Sequence, residues 1–445
     1  MLKKVLAVVL SALMVLSLAA CGGSSSAPAA DAAPAAEAAK EEKAADTAAP
    51  AADGETLKFW GVEVASWTPA FEELLAGFEA ETGIKVEAEF YPYEESEAKF
   101  QTSMLSKDGG ADIYCFWGGW ALDYTPNGCL LPISDELANS IRNDAFKPTY
   151  GALEYDGKLY GLPLEFNTEC GGMLVNNHLL QAAGIEVPKT WDDMVAAGQK
   201  LAQWNGDVCE VRGLDFVNYD CVMNMYCAVT LAQGGQYLDA DGKTVHLTTP
   251  EGIKAFEVLK DLVVDKKVTD LETISGGGAA EGYAQLFADT CAMCMRGIWA
   301  VNEGNLTFGL TQGEDFDYVE MPWYNDTPAF AAETGWSIAA GTSAKNPEAA
   351  QKFMEYVYRD DVLRKFEAGC SMIPCKKSVA LSDEYLEAMP AAAPLVNNLD
   401  KAQFIGAFNS DRFKDAINSA FIDYCTGVVA TAEEALQQAE DKMNN

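Results

Sequence analysis

The stretch from Thr56 to Tyr91 constrains the fold more tightly than any other part of the chain. "LKFW" has the composition of a short strand, and Pro69 then opens a segment in which Phe71, Leu74, Leu75 and Phe78 recur at helical spacing until Gly83 stops it. Directly afterwards Ile84, Val86, Ala88 and Phe90 alternate with Lys and Glu, the pattern of a strand with one exposed face. A strand, helix, strand unit of this kind predicts a parallel pair joined by a right-handed crossover, and so an α/β fold. At 445 residues the chain is long for one core. A prior of about 150 residues per domain predicts two or more compact units.

Similar signals recur downstream. In "PKTWDDMVAAGQKLAQW" Thr190 and Asp193 form an expected capping box before a helix carrying Trp191 and Trp204. Asn346-Pro347 is expected to cap another helix, with Phe353 and Val357 on it. Phe413, Ile417, Ala420, Phe421 and Tyr424 stripe a late helix, and Leu436, Ala439 and Met443 stripe the last. The sequence contains no internal repeat.

The first 21 residues read as a secretory signal: Lys3 and Lys4, an apolar run from Val5 to Leu18, then small residues. The run is short for a membrane span. Leu18-Ala19-Ala20-Cys21 resembles a bacterial lipobox, so residues 1–20 are expected to be removed and Cys21 acylated, tethering the protein to the outer face of the membrane. Residues 21–55 follow as an Ala, Pro and Glu-rich tether with no large apolar side chain to bury. Thirty-one Lys plus Arg against 67 Asp plus Glu give a net charge of -36, which argues against nucleic acid as a partner because phosphate binding needs clustered cations.

The order of segments then resembles the extracellular solute-binding proteins of ABC importers, in the sugar-binding branch that includes maltose-binding protein. "FEAETGIKVEAEFYP", "GADIYCFWGGWALDYTPNGCLLPI", "YDGKLYGLPLEFNTECGGMLVNN", "PKTWDDM", "GWSIAAGTSAKNPEAAQKFMEYV" and "EEALQQAEDKM" follow one another as they do in that family. The resemblance implies a two-lobe periplasmic-binding-protein-like fold, type II, with a hinge and a ligand cleft between lobes. It places one lobe at residues 56–165 plus 333–373 and the other at 166–330 plus 376–445. It also implies a carbohydrate ligand, delivery to the membrane subunits of an ABC permease, a monomer, and no enzymatic activity, cofactor or metal.

Sugars present flat apolar faces ringed by hydroxyls, so their binding needs aromatic platforms beside planar polar groups. The candidates gather at strand ends: Trp60, Glu63 and Trp67; Phe116, Trp117 and Trp120; Asn167 and Glu169; Trp299; and Trp336. By their place in the family's pattern, Trp299, Asn167 and the loop from Trp117 to Trp120 lead. Where relatives carry an Asp-Arg pair in that loop, this chain has Gly119 and Trp120, which puts a malto-oligosaccharide in doubt. Phe408 and Phe413 lie where relatives supply a further platform, although the helical stripe explains Phe413 as well. The acidity keeps a polyamine open as an alternative ligand, and the many carboxylates leave a secreted glycosidase open in principle.

Other apparent motifs lead nowhere. Cys291 and Cys294 have redox spacing, but "AMCMRGIWAVN" resembles the family's Ala-Met-x-x-x-Gly-x-Trp strand, and His178 and His246 are the only histidines available to complete a zinc site. The remaining cysteines are expected to be small buried thiols. "DADGKTVHL" from Asp239 departs from a calcium loop, with Gly242 fourth rather than sixth, and is expected to be a hairpin turn. "GGGAAEG" from Gly276 misses the dinucleotide-binding spacing and is expected to be a mobile loop.

Overall fold

The computed structural model describes residues 56–106, 109–276 and 280–445. The expected leader, Cys21, the tether up to residue 55 and residues 277–279 of the Gly-rich loop lie outside the described residues. In chain order, β1 (Thr56–Val62), α1 (Thr68–Thr82) and β2 (Lys85–Tyr91) form the expected unit. Pro69 stands in the first turn of α1, Phe71, Leu74 and Phe78 are its buried face, and Gly83 ends it with a φ of 73° that only glycine adopts without strain. β1 and β2 pair in parallel from Thr56 opposite Lys85 to Val62 opposite Tyr91. Lys85, Glu87 and Glu89 leave β2 as a charged, exposed edge, which discourages pairing with a second chain.

Next come β3 (Ile113–Trp117), β4 (Leu162–Pro163), β5 (Glu165–Phe166), β6 (Gly172–Asn176), α2 (Trp191–Leu201) and α3 (Cys221–Ala232). They are followed by β7 (Met293–Met295), β8 (Phe316–Glu320), β9 (Phe330–Ala332), β10 (Trp336–Ala340), α4 (Pro347–Val357), α5 (Asp360–Gly369) and β11 (Ile373–Pro374). α6 (Ser410–Thr426) and α7 (Ala432–Asn444) close the chain. The larger sheet has the order β2-β1-β3-β10-β4, with β10 antiparallel to β3 although it lies far along the sequence. The second sheet, β7-β6-β8, is antiparallel throughout.

Two hydrophobic cores result, as a two-lobe fold requires. One gathers Phe59, Phe78, Phe116, Tyr124, Ile338 and Phe353. The other gathers Met173, Val175, Phe216, Tyr226, Phe256 and Phe421. Core membership changes between Leu164 and Phe166, between Ala332 and Trp336, and again beside Ile373, so the chain passes from one core to the other there. β5 pairs with β11 at that point, Phe166 opposite Ile373 and Glu165 opposite Pro374.

Several local expectations change in the folded chain. α2 stops at Leu201, and Trp204 sits instead on a strand, Gln203–Asn205, that turns through Gly206 at a φ of 64° into Val208–Val211. Thr190 caps α2 as expected, its hydroxyl accepting from the Asp193 N–H at 3.2 Å. Asn346 precedes α4 but makes no side-chain cap; its N–H donates to Asp112 Oδ1 at 3.1 Å. Cys294 lies in β7, whereas Cys291 stands just outside it in a bridge to Arg212. Residues 291–295 are fully buried because β6 covers one edge of β7 and the Arg212 to Asp215 segment covers the other. Leu238 and Val245 bridge across the Asp239 turn, as a hairpin would. Eleven cysteines are described and all are free, with Cys209 and Cys425 alone among them partly exposed.

Candidate ligand-binding cleft

A cavity of about 240 Å³ opens between the two cores at the carboxyl ends of β1 and β3, where an α/β sheet holds its ligand. The lobe built on the larger sheet contributes Val64 and Trp67 after β1, Tyr93 after β2, Trp117 at the end of β3 and Trp336 at the start of β10. The crossover contributes Glu165, Asn167 and Glu169, three alternate residues that an extended backbone sends to one side. From the other lobe come Tyr219 and Asp220 ahead of α3, Arg296 and Trp299 after β7, and Lys414 on α6, with Met372 beside β11.

Trp336 is the centre of the aromatic wall. Trp67, Trp117 and Tyr93 meet it edge-on, with ring centres 5.3, 5.8 and 6.3 Å away and interplanar angles of 83°, 77° and 76°. Such edge-to-face contacts fix ring orientation and add about 0.5–1.5 kcal/mol each beyond burial. Trp299 faces them from the opposite lobe and packs against both cores. Its indole N–H donates to Glu169 Oε1 at 2.8 Å, and the Arg296 guanidinium lies 5.0 Å from its ring centre. Gly297 makes this fold-back possible, because a Cβ there would stand 2.5 Å from the Trp299 ring.

Behind the rings runs a buried charge network. Asp220 bridges the two cations, with Oδ2 2.8 Å from Arg296 Nη1 and Oδ1 3.1 Å from Lys414 Nζ. Lys414, 2% exposed, also meets Glu333 at 3.0 Å and Asp411 at 3.4 Å, and its ammonium lies 5.2 Å from the Trp117 ring of the other lobe. Burial alone would raise Asp220, but Lys414 and Arg296 hold its carboxyl below the usual range. Burial pushes Glu333 up despite Lys414, and pushes Glu165 up to about 8 against the opposing hydrogen bond from the Trp336 N–H.

Six of the ten residues expected at the site line the cavity: Trp67, Trp117, Asn167, Glu169, Trp299 and Trp336. The other four do not. Phe116 is fully buried beside Tyr124, since alternation along β3 points it into the core. Trp120 is 1% exposed and turns its N–H to Asp411 Oδ2 at 3.4 Å, bridging the lobes outside the cavity. Trp60 sits among Tyr91, Phe100 and Tyr114 under Lys99, and Glu63 is exposed. Phe408 and Phe413 pack on each other, and Phe413 stacks on Tyr237.

Sequence reasoning missed Glu165, Tyr93, Tyr219, Asp220, Arg296 and Lys414 at the cleft. The alternation of Glu165, Asn167 and Glu169 carried a usable signal for the first. A larger depression of about 590 Å³ lies on the outer face between α1 and α5, but its charges are exposed ion pairs such as Arg359 with Glu81. Among the described residues no group of three or more His, Cys, Asp or Glu is placed to hold a metal ion.

The profile of the family described as bacterial extracellular solute-binding protein matches residues 73–394. The chain belongs to this family. A putative binding protein of Brucella abortus is 25% identical over 379 residues, covering 83% of this chain and 85% of the relative. The diacetylchitobiose binding protein DasA of Streptomyces coelicolor is 23% identical over 418 residues, covering 91% and 89%. Among solved structures, the cyclic α-maltosyl-1,6-maltose binding protein of Arthrobacter globiformis superposes with a TM-score of 0.71 at 21% identity, covering 88% of this chain and 98% of that one. At that identity the likeness speaks for the two-lobe fold. Among the described residues no helix of this solute-binding protein is long and apolar enough to cross a membrane.

Proposed function

We propose that this solute-binding protein captures a carbohydrate in the interlobe cleft and presents it to the membrane subunits of an ABC permease. The observation that carries this reading is the convergence of Trp67, Trp117, Trp336 and Trp299 from both lobes on one cavity with Asn167 and Glu169 beside them. The rings offer apolar faces and the amide and carboxylate offer partners for hydroxyls. The cavity is smaller than the ~300–1,000 Å³ of drug-sized sites, so a short ligand fits it better than a long chain. Sugar-binding relatives such as the diacetylchitobiose and maltosyl-maltose receptors support the same class.

Arg296 and Lys414 in the lining occupy Asp220 and Glu169, which weighs against a polyamine, a ligand that needs carboxylates free to pair with it. Residues 56–165 plus 333–373 and 166–330 plus 376–445 then act as lobes that close on the ligand about the β5 and β11 crossing, and closure is what the permease reads. The body works as a monomer without catalysis, held at the outer membrane face through acylated Cys21 and the tether.

The test is a melting-temperature screen of the purified protein against tagatose, maltotriose, diacetylchitobiose and spermidine, with chromatography for products. A ligand at a hundredfold excess over its Kd stabilises by about 2.7 kcal/mol, a readily measured shift. Stabilisation by a sugar that is recovered intact supports the proposal, and hydrolysis of the sugar would replace it with a glycosidase.

A further inference from the structure

One carboxyl in the cleft has no cation beside it. Glu165 is 4% exposed, and its Oε1 accepts the Trp336 N–H at 3.0 Å. Gly335 lets it sit there, since a Cβ at that position would collide with the carboxyl. Among the described residues no Lys, Arg or His lies within ion-pair distance of it; the two cations of the lining are committed to Asp220, Arg296 with Glu169 also at 3.9 Å and Lys414 with Glu333 and Asp411. Apart from Arg296 and Lys414, which share its cavity, the ionisable groups that act on Glu165 are acidic or neutral: Glu169 beyond β5, Glu333 before β10, Glu367 of α5, Cys115 of β3, and Cys370 and Tyr385. A buried carboxylate among acids costs more free energy than one that keeps its proton.

A carboxylate only accepts hydrogen bonds, whereas a carboxylic acid also donates one. We propose that Glu165 determines specificity in the cleft as a neutral acid, donating its O–H to an acceptor oxygen of an uncharged ligand and so selecting neutral sugars over amines. The proposal rests on the carbohydrate reading and sharpens it. With that proton in place the lining holds two carboxylates, Glu169 and Asp220, against two cations, Arg296 and Lys414, which leaves the cavity electrically balanced for a neutral guest. The upward shift of Glu165 to about 8 agrees with this arrangement.

The test measures affinity for the neutral sugar that gives the largest melting shift, between pH 6.5 and 9.5, in wild type and in Glu165→Gln. As pH passes about 8 the free protein loses the Glu165 proton, which binding must then restore, so wild-type affinity is expected to fall at least tenfold. Gln keeps a permanent donor, so the affinity of the variant, whatever its value at pH 6.5, is expected to stay level across the range. A wild-type profile that is level or rises with pH, or a Glu165→Gln profile that falls as steeply as the wild type's, would overturn the proposal. If the variant does not fold, the wild-type profile alone decides. If no neutral sugar binds at any pH, the carbohydrate reading fails by itself. The infrared band of a protonated carboxyl, compared between ligand-free wild type and Glu165→Gln at pH 6.5, then still decides the acid form, and its absence would overturn that too.

Discussion

Trp299 is the aromatic residue that reaches the cavity from the second lobe. It is partly exposed, and its loss leaves Glu169 with the Gly297 N–H at 3.1 Å. Trp299→Ala is expected to weaken sugar binding at least tenfold, about 1.4 kcal/mol, with the fold intact, as calorimetric titration beside circular dichroism would show. Lys414 is the opposite case. Truncating one member of a buried ion cluster leaves its partners unpaired and costs about 3–5 kcal/mol, so Lys414→Met is expected to lower the melting temperature sharply, even before ligand is added.

pH acts on stability through the same residues. Glu165 is raised from 4.5 to about 8 by burial, so between those values the unfolded chain gives up a proton that the folded chain keeps. Stability therefore falls as pH rises through that window. Glu165→Gln is expected to gain melting temperature relative to wild type at pH 8.5 but not at pH 4.5, and an equal change at both would contradict this. The Trp positions at the cleft were legible because strand ends are where sheets present ligands, and Asn167 and Glu169 because they follow a crossover. Lys414 and Arg296 were not. Lys414 reads as the solvated face of a helical stripe and Arg296 as the polar end of a strand, and only tertiary packing shows them buried.

At the scale of elements, α6 joins the two halves of the cleft. Asn409 caps it, accepting the Asp411 N–H at 3.0 Å, and donates across the lobes to Asp123 Oδ2 at 2.9 Å. Asp123→Ala removes the cross-lobe bond alone. It is expected to speed ligand dissociation a few fold in stopped-flow fluorescence while the melting temperature holds. Asn409→Ala removes the cap as well, and a further loss of about 1 kcal/mol in stability is expected. The first strand, helix, strand unit was readable because apolar spacing, Pro69 and Gly83 all agree locally. The insertion of β10 beside β3 was not readable from either strand, since antiparallel pairing at long range is set by the fold around it. Trp204 shows the same limit at an element boundary: its helical phase continues past Leu201, but the Asn205-Gly206 turn wins.

On the scale of the whole molecule, the order of six weak segments carried more than any one of them, because each lobe is assembled from separated stretches of chain. The two cores and the site between them depend on that order. The cysteines follow from the cores. Since nine of the eleven described are buried, maleimide is expected to label at most Cys209 and Cys425 among them in the native protein, and all eleven after denaturation without reductant. Extra labelling only after reduction would show that disulfides form.

The central claim, a cleft built for a neutral sugar rather than a cation, is tested most directly by calorimetric titration of the intact protein with the sugar panel and with spermidine under one buffer at pH 7. The account predicts saturable binding of one neutral sugar class at a single site, with spermidine silent. Saturable binding of spermidine with every sugar silent would contradict it.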